Sequence, residues 1–184
     1  KEEKDIIIFA RPCDINGIES LDKIFLENGG FSDIYYKRLR DRVKFFLIEC
    51  AEGFEDCFCV SMGSNKTDDY SVAVRLGEEN ILLEVKDDEF YHLFKEEKSA
   101  DFAPMFVEAN QKVVKLPKIE NSEELKKAYN LEFWKSYDEK CIGCGACCTV
   151  CGTCSCFDTV DIIYSDTSRE GERKRVWSSC MLDT

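Results

Sequence analysis

Cys141-Ile142-Gly143-Cys144-Gly145-Ala146-Cys147-Cys148-Thr149-Val150-Cys151 is the stretch that decides how the rest of the chain is read. Its spacing is C-x2-C-x2-C-x3-C, the run that wraps thiolates around cubane iron–sulfur clusters. Three thiolates at every third position suit a tight loop about one cluster. Gly143 and Gly145 let that backbone approach without a Cβ clash. Where two clusters are present, the fourth cysteine of such a run ligates the other one, and Cys151 holds that place. Gly152 stands where a proline is usual. Cys148 interrupts the x3 spacer and reads as a small packing residue outside the ligand set.

The competing chemistry is structural zinc, which favours two separated C-x2-C pairs or mixed Cys/His sets. One dense run in a chain with a single histidine fits that poorly. A disulfide framework is a second competitor, because the chain has 12 cysteines. Eight of them follow position 140, the chain is long, and no secretory signal pattern opens it, so metal binding in a reducing cytoplasm is the better account. The formal charge of −12 excludes nucleic acid and an anionic membrane surface as partners. No apolar run approaches the ~20 residues of a membrane helix. No general acid or base stands out, so no catalytic residue is assigned. A start at Lys1 and a lone C-x2-C-x2-C run suggest a fragment of a longer protein.

Working outward toward the N-terminus, Asn121 can cap a helix running to about Tyr137, with Glu124 as its capping-box partner. Phe133 and Trp134 are expected to be core packing near its end, with the option of shielding a cluster from water. Ser99–Glu120 is irregular, with a short strand expected at Lys112–Leu116. The chain therefore divides into an α/β domain over 1–118 and a helix plus cysteine-rich segment over 119–184. In the first domain, Asp5–Ala10 and Lys44–Cys50 read as buried parallel strands. Between them Asp14 caps a helix over Ile15–Glu27, and a second helix spans Ser32–Arg42. Tyr70–Leu76 and Ile81–Val85 form a hairpin, followed by a helix over Glu89–Lys98 on which His92 is a surface residue. The fold class is mixed α/β: a mixed sheet with helices, then a ferredoxin-like iron–sulfur segment.

Cys13 follows the first strand and Cys50 ends the second. In a parallel sheet both lie at the carboxyl edge, where α/β folds place their sites. Cys57 and Cys59 come next in sequence, so Cys13, Cys50, Cys57 and Cys59 form a candidate additional metal site. The alternative is that some are buried small hydrophobes. No G-x-G-x-x-G occurs, so no dinucleotide fingerprint is present. After the main run, Cys154, Cys156 and Cys180 are further candidate thiolates. They flank a short strand at Asp161–Tyr164 and its return partner at Arg175–Cys180.

Ala10-Arg11-Pro12-Cys13-Asp14, Cys57-Phe58-Cys59-Val60-Ser61-Met62-Gly63, the Cys141–Cys151 run with Cys154-Ser155-Cys156-Phe157-Asp158, and Trp177-Ser178-Ser179-Cys180 occur in one order. Together they resemble the 4Fe-4S iron–sulfur subunit of anaerobic sulfite reductase, close to the beta subunits of NAD(P)-linked sulfhydrogenases. The resemblance covers nearly the whole chain. It implies a cytoplasmic electron-transfer subunit with two 4Fe-4S clusters, between a flavin subunit that oxidises NAD(P)H and a sirohaem subunit that reduces sulfite. By the same match, Cys141, Cys144 and Cys147 ligate one cluster and Cys151 the other. The family continues with a second C-x2-C-x2-C run that this chain lacks. Three rivals differ in pathway or class: a hydrogenase beta subunit, a zinc-bound structural module, and a thiol–disulfide enzyme using C-x2-C pairs.

Overall fold

Ile6–Ala10 (β1) and Val43–Ile48 (β2) are rich in β-branched and aromatic residues and pair in parallel, with Ile8 opposite Phe45 and Ala10 opposite Leu47. The computed structural model describes residues 4–95, 98–167 and 169–178. Between the two strands run helix Pro12–Asp22 (α1), a π-helical turn at Lys23–Glu27, and helix Ile34–Arg40 (α2). A short helix at Cys59–Met62 (α3) lies in the connection to Val72–Leu76 (β3), which is parallel to β2. Ile81–Val85 (β4) returns antiparallel, and Asp88–Phe94 (α4) follows. The sheet order β1-β2-β3-β4 is therefore mixed, as the sequence implies.

The side-chain alternation of the strands splits the core into two faces. Phe45, Leu47 and Ala73 pack with Ala10, Ile15 and Tyr70 on one face, with Phe102 and Phe106 at its margin. Phe46, Val72 and Val74 pack with Phe90 of α4 on the other. The expectation that β1 is a buried strand is corrected in part. It is an edge strand, and Ile7 and Phe9 stand 47% and 60% exposed, because α4 covers only the far part of that second face.

Other local readings shift by a few residues for identifiable reasons. Pro12 occupies the first turn of α1, so the helix starts before Asp14, whose carboxylate instead accepts the Arg11 N–H at 3.0 Å. Lys112–Leu116 forms no strand. Its backbone is engaged by a side chain instead, Val114 N donating to Ser61 Oγ at 3.1 Å. His92 is exposed on α4, as expected.

The chain divides into two compact units, Lys1–Lys115 and Leu116–Thr184. In the second, the continuous helix expected to run to Tyr137 is broken into Ser122–Tyr129 (α5), a 3₁₀ turn at Glu132–Trp134, and Lys135–Asp138 (α6). Asn121 Oδ1 caps α5 by accepting the N–H groups of Glu123 and Glu124, both at 3.0 Å. Glu124 closes back on Glu120 N at 2.8 Å, one residue before the expected partner. One turn at Ala146–Thr149 (α7) and the antiparallel hairpin Phe157–Ile163 (β5) with Gly171–Trp177 (β6) complete the unit. Among its described residues, Cys148 is the sole buried side chain. Phe133 packs edge-on against Trp134 and Tyr137, yet all three stay about half exposed, so Phe133 and Trp134 are not the core expected of them.

Candidate metal centre

Cys141 is delivered by α6, its N–H donating to Tyr137 O at 2.9 Å. Gly143 and Gly145 then take φ of +66° and +68°, the left-handed region where a Cβ is strained. Those two reversals carry the backbone through Cys144 and Cys147 into α7, whose first turn closes on Gly145 O. Cys151 follows, with Sγ 3.3 Å from Thr153 Oγ1. Cys141, Cys144, Cys147 and Cys151 are all exposed, whereas Cys148 is buried at 7%. The interrupting cysteine is thus turned into the unit while the four spaced ones face outward. Cys147 Sγ lies 4.0 Å from Cys148 Sγ, and that contact raises the Cys147 thiol above its ordinary range. Nothing would meet a Cβ at Gly152, so glycine in the usual proline place relieves no clash. Cys154 and Cys156 are half-buried at the base of the hairpin, where Cys156 O accepts Ser178 N at 3.2 Å. Cys180 lies outside the described residues.

In the first unit, Cys13 sits in the first turn of α1, directly after β1, and Cys50 two residues past the end of β2. Both therefore stand at the carboxyl edge of parallel strands. Cys57 and Cys59 lie in the β2–β3 connection at the start of α3. All four are half-buried. Burial pushes the Cys13 thiol up, with neighbouring Asp14 adding to it, while the Arg11 guanidinium pulls it down. Burial also raises the Cys50 thiol, and Cys59 and Cys57 add to that, again with Arg11 opposing. Sequence reasoning missed Asn110 here. Its Oδ1 accepts Val60 N at 2.8 Å and lies 3.6 Å from Cys59 Sγ. A residue fifty positions away carries no local signal of such a role.

Among the described residues, no three His, Cys, Asp or Glu side chains converge closely enough to share a single metal ion. Tetrahedral zinc–thiolate geometry needs sulfurs roughly 4 Å apart, given Zn–S bonds of about 2.3 Å. A cubane cluster bonds each thiolate to a different iron, so its ligands stand farther apart. An all-thiol donor set on left-handed glycine turns, with every donor outward-facing, fits a cluster of that kind.

Residues 140–184 match the 4Fe-4S dicluster domain. The segment makes the chain an iron–sulfur protein that binds 4Fe-4S clusters, two in the arrangement that domain describes. The chain is similar to sulfhydrogenase 2 subunit beta of Pyrococcus furiosus, with 33% identity across 98% of this chain and 56% of that protein. The chain thus spans about half the length of the relative it matches. No solved structure matches the chain. Among the described residues, no helix is long and apolar enough to cross a membrane.

Proposed function

We propose that the chain is the one-electron relay of a cytoplasmic, multi-subunit oxidoreductase. Cys141, Cys144 and Cys147 hold one 4Fe-4S cluster and Cys151 contributes to a second. A bound cluster supplies reversible one-electron chemistry near the protein surface. The chain's own residues set the conditions. The Gly143 and Gly145 reversals fix where the thiolates stand. The exposed thiol-bearing loop leaves a face open to a partner. The observation that carries this reading is the C-x2-C-x2-C-x3-C run on left-handed glycines, with its four thiols outward and Cys148 turned inward. Outer-sphere transfer of this kind asks for no general acid or base.

The pathway we infer runs from a flavin subunit that oxidises NAD(P)H to a sirohaem subunit that reduces sulfite. Its support is the ordered set of motifs from Ala10–Asp14 to Trp177–Cys180 that resembles the iron–sulfur subunit of anaerobic sulfite reductase. A second reading, a beta subunit of an NAD(P)-linked hydrogenase, is favoured by the similarity to sulfhydrogenase 2 subunit beta. The deciding experiment is anaerobic purification of the native complex through a tag on this chain. It is followed by assays of NAD(P)H-dependent sulfide production and of hydrogen turnover. Sulfide production with a sirohaem spectrum supports the first reading, and hydrogen turnover without it replaces that reading with the second. Zinc bound without iron or acid-labile sulfide removes both.

A further inference from the structure

The first unit carries four cysteines that the dicluster segment at 140–184 does not account for. They come from three separate places in the chain. The topology sets Cys13 and Cys50 at one edge, since β1 and β2 are parallel and adjacent, and Cys57 and Cys59 lie in the connection that leaves that edge. Four half-buried thiols gathered at the carboxyl edge of a sheet are more than packing asks for. Packing would bury them outright, as it does Cys148.

The surroundings are those of a site. Phe54 N donates to Cys57 Sγ at 3.2 Å, an N–H···S bond of the kind that tunes thiolate ligands. Gly53 is the residue that permits it. A Cβ there would stand 2.8 Å from Asn110 Nδ2 and 3.3 Å from the Cys57 Cβ. Asn110 is held by its carbonyl oxygen on Val60 N, which fixes the amide's orientation. Its Nδ2 is buried with no hydrogen-bond partner, leaving an unmatched donor beside the cysteines. No three of these thiols share the tight geometry of a single ion.

We propose that Cys13, Cys50, Cys57 and Cys59 together hold a further iron–sulfur cluster of the cubane type, in the α/β unit and separate from the dicluster segment. Asn110 Nδ2 and Phe54 N are its hydrogen-bond donors. Assembly of the 2+ cubane takes two ferrous and two ferric ions with four sulfide ions, so the four thiols lose their protons and no protein group is oxidised.

The test uses the full chain, reconstituted anaerobically with equal ferrous and ferric iron and with sulfide. Iron, zinc and acid-labile sulfide are counted per chain, with EPR after dithionite reduction. In the Cys57→Ala/Cys59→Ala double variant, iron and sulfide are each expected to fall by about four per chain, the content of one cubane cluster, while an EPR signal persists from the C-terminal segment. Conversely, Cys141→Ala/Cys144→Ala is expected to retain at least about four iron and four sulfide, and adding Cys57→Ala/Cys59→Ala to it to lower both by about four more. Unchanged iron in the first variant, or none retained in the second with the far-UV CD intact, overturns the proposal. So does loss of about one zinc per chain in place of iron. Should either double variant fail to fold, Cys13→Ser, a one-atom change in the first turn of α1, carries the test. An altered EPR spectrum is expected, and an identical spectrum and iron count overturns it.

Discussion

Leu47 gives the sharpest test of how the first unit is built. It is fully buried in the central strand β2. Its register partners are Ala10 on β1 and Ala73 on β3, so one large side chain fills a row whose two flanks are alanines. Leu47→Ala would leave three alanines side by side across three strands. None has atoms to move into the gap, and Ile15 above them is already fully buried on α1. Removing three carbons costs about 2.4 kcal/mol in transfer alone, at ~0.8 kcal/mol each. A cavity that cannot collapse carries this to about 3–4 kcal/mol, in the upper part of the Leu→Ala range. Equilibrium urea unfolding of the full chain, followed by far-UV CD, measures the loss. Leu39→Ala on α2, at an exposed leucine, is the control and is expected to change stability by less than about 0.5 kcal/mol. A loss below about 1.5 kcal/mol for Leu47→Ala would refute the reasoning, because it would mean the alanine row is not closed by α1.

Three further outcomes follow from the same geometry. The hydrogen bond from Lys44, and then that from Glu89 N, hold the Asp87 carboxyl below the usual carboxylate range. The native state thus releases this proton at lower pH than the unfolded chain, so the contribution is present above the unfolded value of about 3.9 and is lost as acid carries pH through the lower native value. Asp87→Asn keeps a good cap for α4 and should flatten that part of the pH–stability curve, whereas an unchanged curve would show that the Lys44 pair is not formed. Asn121→Ala removes an acceptor from two helical N–H groups and should lower the stability of α5 by about 1 kcal/mol, read as faster amide exchange at Glu123 and Glu124. Stripping iron with a chelator under anaerobic conditions should expose the β5–β6 amides to rapid exchange while β2 and β3 stay protected. Among its described residues the second unit buries almost no apolar side chain, and its folding energy has to come from its ligands, so equal protection before and after would count against cluster-dependent folding.

The cysteine run was legible because cluster ligation is a matter of spacing along the chain, and spacing survives any fold. The paired strands were legible for a similar reason. Asp5–Ala10 and Lys44–Cys50 are dense β-formers flanked by breakers, and their helical connection leaves a parallel pair as the simple solution. Boundaries moved where local chemistry outweighed pattern, as at Pro12, or where a side chain took a backbone donor that a strand would have used, as at Val114. The expected long helix before Cys141 broke into three pieces, leaving Phe133, Trp134 and Tyr137 about half exposed.

The sequence by itself determined that this protein has a thiol-rich C-terminal segment of cluster spacing, preceded by an α/β unit. Residue identity and interval are one-dimensional quantities, and they are enough for that. Only the tertiary structure decided that β1 is an edge strand with Ile7 and Phe9 in the open, that Cys148 turns inward while its neighbours turn out, and that Asn110 and Gly53 join the first unit's cysteines. Each of these depends on which residues distant in the chain come to share space. Strand order and the direction in which a side chain leaves the backbone settle that, and neither is written in any local interval of the sequence.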